Sequence, residues 1–175
     1  KYNFKDVRIG QITYLPYDTI AFEEFVRVGC HLMVRRAINK AKKNNIRIEI
    51  SGKNGIEFLR NTHLANMNKL GGIPKSLEFF NLVPKFFIES EDYQIFTAKY
   101  NGEPIAALLL FYFNETVEYF TPAIDEKFRA IQPLSLIIEF AMKNAISRGI
   151  KKWNWGGTWL NQNGVYDFKN RWGAK

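Results

Sequence analysis

The chain has 175 residues, 46% of them hydrophobic and 24% charged, a balance that supports a buried core and excludes a disordered or fibrous chain. Its formal charge of +8 points to an anionic partner: nucleic acid, a phosphorylated cofactor, a nucleotide-linked substrate or an acidic lipid surface. The single cysteine, Cys30, excludes an internal disulfide and a cysteine-based zinc site, and His31 and His63 lack ligand spacing, so no metal is expected.

The longest apolar run, residues 105–113, has nine residues, well short of the ~18 that span a bilayer. No signal-peptide pattern opens the chain, which makes a cytoplasmic setting the expectation. A first residue of Lys rather than Met is expected of a piece of something longer. Residues 1–20 read as extended and turn-rich, with an edge strand around Ile12 and Leu15 before Pro16. A helix is predicted over residues 19–43, with a break near Gly29. Its second half places Val34, Ile38 and Ala41 on one face. The other face carries Arg35, Arg36, Lys40, Lys42 and Lys43, and reads either as a solvated helix surface or as a phosphate- or nucleic-acid-binding one.

Strict alternation in I-R-I-E-I marks a half-buried strand over residues 46–50. A turn at 51–55 leads to a helix over 56–70, where Ile56, Leu59, His63, Met67 and Leu70 form one stripe. Within it His63 reads as a packed histidine with one hydrogen bond rather than as a base. Pro74 opens a second short helix that ends near Pro84. From Tyr93 the character changes to strands: Q-I-F-T-A-K-Y, then Asn101-Gly102, then P-I-A-A-L-L-L-F-Y-F. Asn-Gly between two such runs is a type I′ hairpin signal. The second arm is apolar on both faces and so belongs in the middle of a covered sheet. Another strand follows over 116–121, then a loop over 122–133 containing Arg129 and Gln132.

Pro133 opens the best-bounded helix, with Arg148 late and Gly149 as its stop. A strand over 150–155 carries rings at Trp153 and Trp155, then breaks on Gly156-Gly157, where a backbone or ligand can approach closely. After a polar loop of Asn161, Gln162, Asn163 and Gly164, a helix runs over 166–172. Tyr166 and Lys169 share one face of it. The plain alternative for this region is a loop and terminal helix that close a sheet. The whole order is α/β, a mixed sheet flanked by helices, with local pairing first and one crossover helix later.

Several segments, in order, carry a family resemblance: R-R-A-I-N-K-A-K-K-N-N-I-R-I at 35–48, G-G-I-P at 71–74, N-G-E-P-I-A-A-L-L-L at 101–110, F-R-A-I-Q-P-L-S-L-I-I-E-F-A at 128–141, R-G-I-K-K-W-N-W-G-G-T at 148–158 and G-V-Y-D-F-K-N-R-W-G-A at 164–174. Together they resemble the acyl-CoA N-acyltransferase (GNAT) fold, in its FemAB-like branch of Fem-type peptidoglycan aminoacyltransferases. The resemblance implies a GNAT-like domain over residues 31–175, preceded by an N-terminal extension at 1–30. It implies acyl transfer to an amino group of a cell-envelope or sugar-nucleotide precursor, from a coenzyme A thioester (acyl-CoA) or an aminoacyl-tRNA. In Fem-type enzymes a Phe-Lys pair near the last helix faces the donor carbonyl. Here that pair is Phe168-Lys169, which makes Lys169 the expected oxyanion stabiliser and Phe168 the expected lining of the acyl channel. Tyr166 is the expected proton donor to the leaving group, and Trp155, Gly156, Gly157 and Asn163 complete the expected substrate site.

The coenzyme A loop of GNAT enzymes, Q/R-x-x-G-x-G/A, corresponds to residues 129–134. These lack glycine, and Pro133 removes an amide donor. Arg129, Gln132 and Leu134 at the helix start remain as the expected anion site, with Arg35, Arg36, Lys40 and Lys43 as the expected phosphate face. Two other readings stay open: a non-catalytic domain that binds RNA or an anionic surface, and the degenerate half of a two-domain enzyme.

Overall fold

A computed structural model of the chain describes residues 7–175; the start of the predicted extended stretch, residues 1–6, lies outside the described residues. Six strands form one sheet in the order β1-β6-β5-β4-β3-β2: β1 (Arg8–Tyr14), β2 (Arg47–Ile50), β3 (Tyr93–Tyr100), β4 (Glu103–Phe113), β5 (Thr116–Ile124) and β6 (Lys152–Trp159). Neighbours are antiparallel except β5 and β6. That parallel pair is joined by the crossover helix α5 (Pro133–Ser147), because parallel neighbours need a long connection over one face. The Asn-Gly hairpin forms as predicted, with φ of 51° at Asn101 and 88° at Gly102, the double positive φ that a type I′ turn demands.

Helices cover both faces. One face holds the larger core, with α1 (Thr19–Glu24), α2 (Leu32–Lys43) and α5 against Phe96, Leu108, Leu110, Trp153 and Trp155. The other holds α3 (Ile56–Lys69) and α4 (Leu77–Phe86) over a smaller core of Leu59, Phe80, Ile95 and Leu109. The alternation of β4 explains the division: Ala106, Leu108 and Leu110 face one layer, Ala107 and Leu109 the other, so the strand is buried on both sides.

Some boundaries match the sequence expectation and others differ. The break expected near Gly29 in the helix over 19–43 is present: α1 runs into a π-helical turn, Phe25–Gly29, the chain becomes extended at Cys30, and α2 restarts with His31 Nδ1 accepting from Met33 N. Val34, Ile38 and Ala41 are buried, as their spacing predicts. Helix α4 starts at Leu77 rather than at Pro74, because Ser76 Oγ caps it by accepting from Phe79 N. It also runs past Pro84, where the missing amide costs one bond near its end. Leu70, placed in the α3 stripe by its spacing, is exposed, because the helix stops at Lys69.

The expected extension, residues 1–30, is built into the fold over its described part. Strand β1 pairs with β6 through Arg8↔Trp159 and Tyr14↔Lys152, and Phe22 and Cys30 sit in the larger core. On its other side β1 pairs with the chain's last residue, Ile12 and Lys175 exchanging backbone hydrogen bonds of 2.9 and 3.0 Å.

Candidate active site

The site forms where the sheet opens. Strands β5 and β6 pair only from Thr116↔Lys152 to Glu118↔Asn154. Beyond that, β5 continues with β4 to Ile124, and β6 continues with β1 to Trp159. Local chemistry accounts for the parting. Asp125 N donates to Ile105 O, so by antiparallel alternation the Leu108↔Pro122 pair is a non-hydrogen-bonded one. Pro122 therefore turns its hydrogen-free nitrogen toward the β6 side, where a ladder bond cannot form. Phe120 adds a bulge between Tyr119 and Thr121, which bends β5 further.

The other wall of the opening is shaped by Gly156. The expected break at Gly156-Gly157 does not occur, and β6 runs through both glycines to Trp159. Instead the register slips between Gly10↔Gly157 and Ile12↔Asn154. Gly156 takes φ +68°, a left-handed bulge residue that leaves its carbonyl and that of Gly157 turned out of the ladder. The following helix, α6, spans Asn163–Asn170 rather than 166–172.

Lys169 projects from α6 into this bulge. Its side chain is 5% exposed. Nζ donates to Thr158 Oγ1 at 2.7 Å and to the carbonyls of Gly156 and Gly157 at 3.3 and 3.4 Å. Burial lowers its pKa from the ordinary lysine range, and the nearby Glu118 carboxylate opposes that shift. A polar chain holds the arrangement. Thr158 Oγ1 donates to Gln11 Oε1 at 3.5 Å, and Gln11 Nε2 donates to the carbonyl of Tyr166 at 3.3 Å, returning to α6. Gln11 and Thr158 are buried, so each bond replaces one otherwise made to water.

Phe168, one position before, points another way. Its ring meets Trp155 edge-on at 6.0 Å and lines a cavity of about 330 Å³ between α2, α5 and the C-terminal segment. Arg36, Lys40, Gln132 and Ser135 line the same cavity, so the fold joins parts of three residue sets that the sequence left separate.

The remaining candidates divide. Trp155 sits in the core: it is buried, its Nε1 donates to Thr13 Oγ1 at 2.8 Å, and Thr13 donates on to Trp172 O. Arg129 and Leu134 lie outside the cavity lining; Arg129 is exposed beside Glu126 at 3.8 Å. Gln132 stands at the start of α5 with φ 62°, its amide donating to Arg129 O. Pro133 has no amide and that of Ser135 is turned onto Gln132 O, so the helix start presents few free donors. The predicted basic face does not act as one surface. Arg35 donates to Arg27 O at 2.6 Å, Lys42 pairs with Glu139 at 2.9 Å, and Lys43 is exposed outside the cavity. Asn163 is exposed at the first position of α6, and Tyr166 is 37% exposed one turn before Lys169. His63 is packed as expected, edge-on to Phe80, with Nε2 accepting from Lys75 N at 3.2 Å. Burial, then the Lys75 charge, lowers its pKa.

Sequence reasoning missed Gln11, Thr158 and Glu118. In T-V-E-Y-F a glutamate reads as the solvent side of a strand, and nothing local says that the neighbouring strand departs there.

A six-stranded mixed sheet flanked by helices, with one crossover helix and an opening between its parallel strands, is the GNAT-like acyltransferase fold. Solved structures share it. The FemX crystal structure matches with a TM-score of 0.85 at 15% identity, over 97% of this chain and 60% of that one. The C-terminal domain of a putative lysylphosphatidylglycerol synthetase from Agrobacterium fabrum matches at 0.63 and 12%, over 98% and 58%. A GNAT-family acetyltransferase from Staphylococcus aureus Mu50 matches at 0.51 and 13%, over 60% and 68%. This chain belongs to the FemAB family, whose sequence model matches residues 74–175. It spans about 60% of the length of the FemX chain. No curated protein matches it in sequence. Among the described residues, no helix is long and apolar enough to cross a membrane.

Proposed function

We propose that the chain carries the transfer site of an aminoacyl- or acyltransferase. It moves an acyl group from an aminoacyl-tRNA ester or an acyl-CoA thioester to a primary amine of a cell-envelope or sugar-nucleotide precursor. The observation that carries this reading is the Lys169 ammonium, held inside the sheet opening on Gly156, Gly157 and Thr158. Attack by an amine on an ester or thioester carbonyl places negative charge on its oxygen. A fixed, desolvated cation stabilises that charge with little reorganisation. The two longer contacts, at 3.3 and 3.4 Å, are weak enough to be exchanged for a bond to the developing oxyanion.

The cavity beside Phe168 suits the reactive end of a donor, with Arg36 and Lys40 answering the phosphates behind it. The start of α5 offers few free amides for a pyrophosphate, which favours the aminoacyl-tRNA donor over coenzyme A. Tyr166, one helical turn from Lys169, returns a proton to the leaving group.

Lys169→Ala tests the reading. Single-turnover transfer from aminoacyl-tRNA to an amine acceptor should slow by about 10²-fold or more, the scale of losing one oxyanion donor, with the circular dichroism spectrum retained. Unchanged turnover in a folded variant removes the mechanism.

A further inference from the structure

Away from the opening, the sheet ends in strand β2, with β3 and β4 standing between it and β5. Among the described residues β2 pairs only with β3, from Arg47↔Lys99 to Ile50↔Phe96. Ser51 N donates to Ile95 O at 2.8 Å. By antiparallel alternation the backbone groups of Glu49 and Arg47 then turn toward β3, and those of Ile48 and Ile50 turn outward. The side chain of Ile48 packs against the larger core, and Ile50, 43% exposed, shares its face. Beside them lies a groove of about 320 Å³, with Ile46, Ile48, Leu136 and Phe140 as its apolar wall.

The other face of β2 carries charge. Arg47 stands directly opposite Lys99, a like-charged pair that weakens the strand pairing unless acids answer it. Glu49 answers Lys99, at 2.7 Å. Arg47 is exposed, and its guanidinium has no hydrogen bond or ion pair among the described residues.

We propose that β2 is the seam of a two-fold homodimer, in which the sheets of two copies join into one. A half-turn about Ile48 lays β2 antiparallel to the same strand of a second copy. Ile48 then faces Ile48, Arg47 faces Glu49, and Ile46 faces Ile50. Of the antiparallel registers, this one alone sets Arg47 opposite Glu49. The hydrogen-bond parity agrees with it. Ile48 is an outward-facing residue, and two such residues exchange N–H and C=O bonds across the two-fold axis. Arg47 and Glu49 form the non-hydrogen-bonded pair, whose side chains approach more closely. An edge of single-sign charge would repel its own copy, whereas I-R-I-E-I complements itself, as a two-fold contact requires. Ile50 of the second copy lies beside Ile46 and covers the apolar wall of the groove. Both sheet openings stay clear, so the inference does not depend on the transfer reading.

The seam is short, which places association in the micromolar to millimolar range. Sedimentation velocity of the chain from about 1 μM to about 1 mM should show a reversible monomer–dimer equilibrium. Arg47→Glu and Glu49→Arg each set like charges across the seam twice, and each should weaken the dimer by about ten-fold or more. The two substitutions combined restore opposite charges, both across the seam and against Lys99, and should recover the wild-type dimer. Both side chains are exposed, so circular dichroism melts should stay close to the wild type. Monomer at every concentration, a dimer that the single variants leave unchanged, or a combined variant no tighter than the singles overturns the proposal. The readout contains no transfer step, so loss of the dimer leaves the Lys169 reading in place, and absence of transfer leaves the dimer.

Discussion

Lys169 shows how a residue's neighbours change its chemistry. As one lysine among 25 basic residues it would be a solvated charge on a terminal helix. Placed on two carbonyls and a hydroxyl it becomes a buried, titratable group. Burial lowers its pKa below the ordinary value of 10.5. Between the lowered value and 10.5 the unfolded chain still binds a proton that the folded chain has released, so stability rises with pH across that window. Lys169→Met cannot titrate. The melting temperature of the wild type relative to this variant should therefore climb as the pH rises toward the ordinary lysine value of 10.5. A constant difference would place the amine in solvent. The pairing of Phe168 with Lys169 was legible in the sequence through family likeness. The hydroxyl that holds the amine was not, because Thr158 lies 11 residues from Lys169 and is itself bonded to Gln11, 147 residues away.

At the scale of elements, the working part is the mismatch between β5 and β6. One strand carries Pro122 and the Phe120 bulge, the other the Gly156 bulge, and both act at the same level of the sheet. Gly156→Ala is expected to destabilise the fold by about 1–2 kcal/mol, the cost of a left-handed non-glycine residue. It also pushes a methyl group onto Glu118 Oε1, 3.1 Å away. Urea denaturation measures the first effect. A loss of transfer larger than the loss of folded protein reports the second. The two glycines stood out in the sequence, but as a strand end. Whether Gly-Gly ends a strand or bulges it depends on the edge opposite, here β1, which comes from the start of the chain.

For the whole molecule, the site depends on both ends of the described chain. Strand β1 supplies Gln11 and Thr13, which tie β6 and the segment around α6 together, and Lys175 closes the outer edge of β1. Deleting residues 1–14 should therefore abolish cooperative thermal unfolding rather than trim a dispensable extension. It leaves the buried Trp155 indole N–H without its acceptor and exposes the edge of β6. Circular dichroism melts of the two chains decide it: a sharp transition near the wild-type temperature would show β1 to be peripheral.

Element types, the hairpin turn, the two-sided burial of β4 and the crossover helix followed from the sequence alone, because each rests on periodicity or turn chemistry within about a dozen neighbouring residues. The site did not. Its opening, the burial of Lys169, and the union of Arg36, Lys40, Gln132 and Phe168 around one cavity arise between segments that only tertiary pairing brings together. Pro122 and Gly156 each mark their own strand locally, but that they fall at the same level of the sheet depends on the parallel pairing of segments distant in the chain, which only the folded sheet decides.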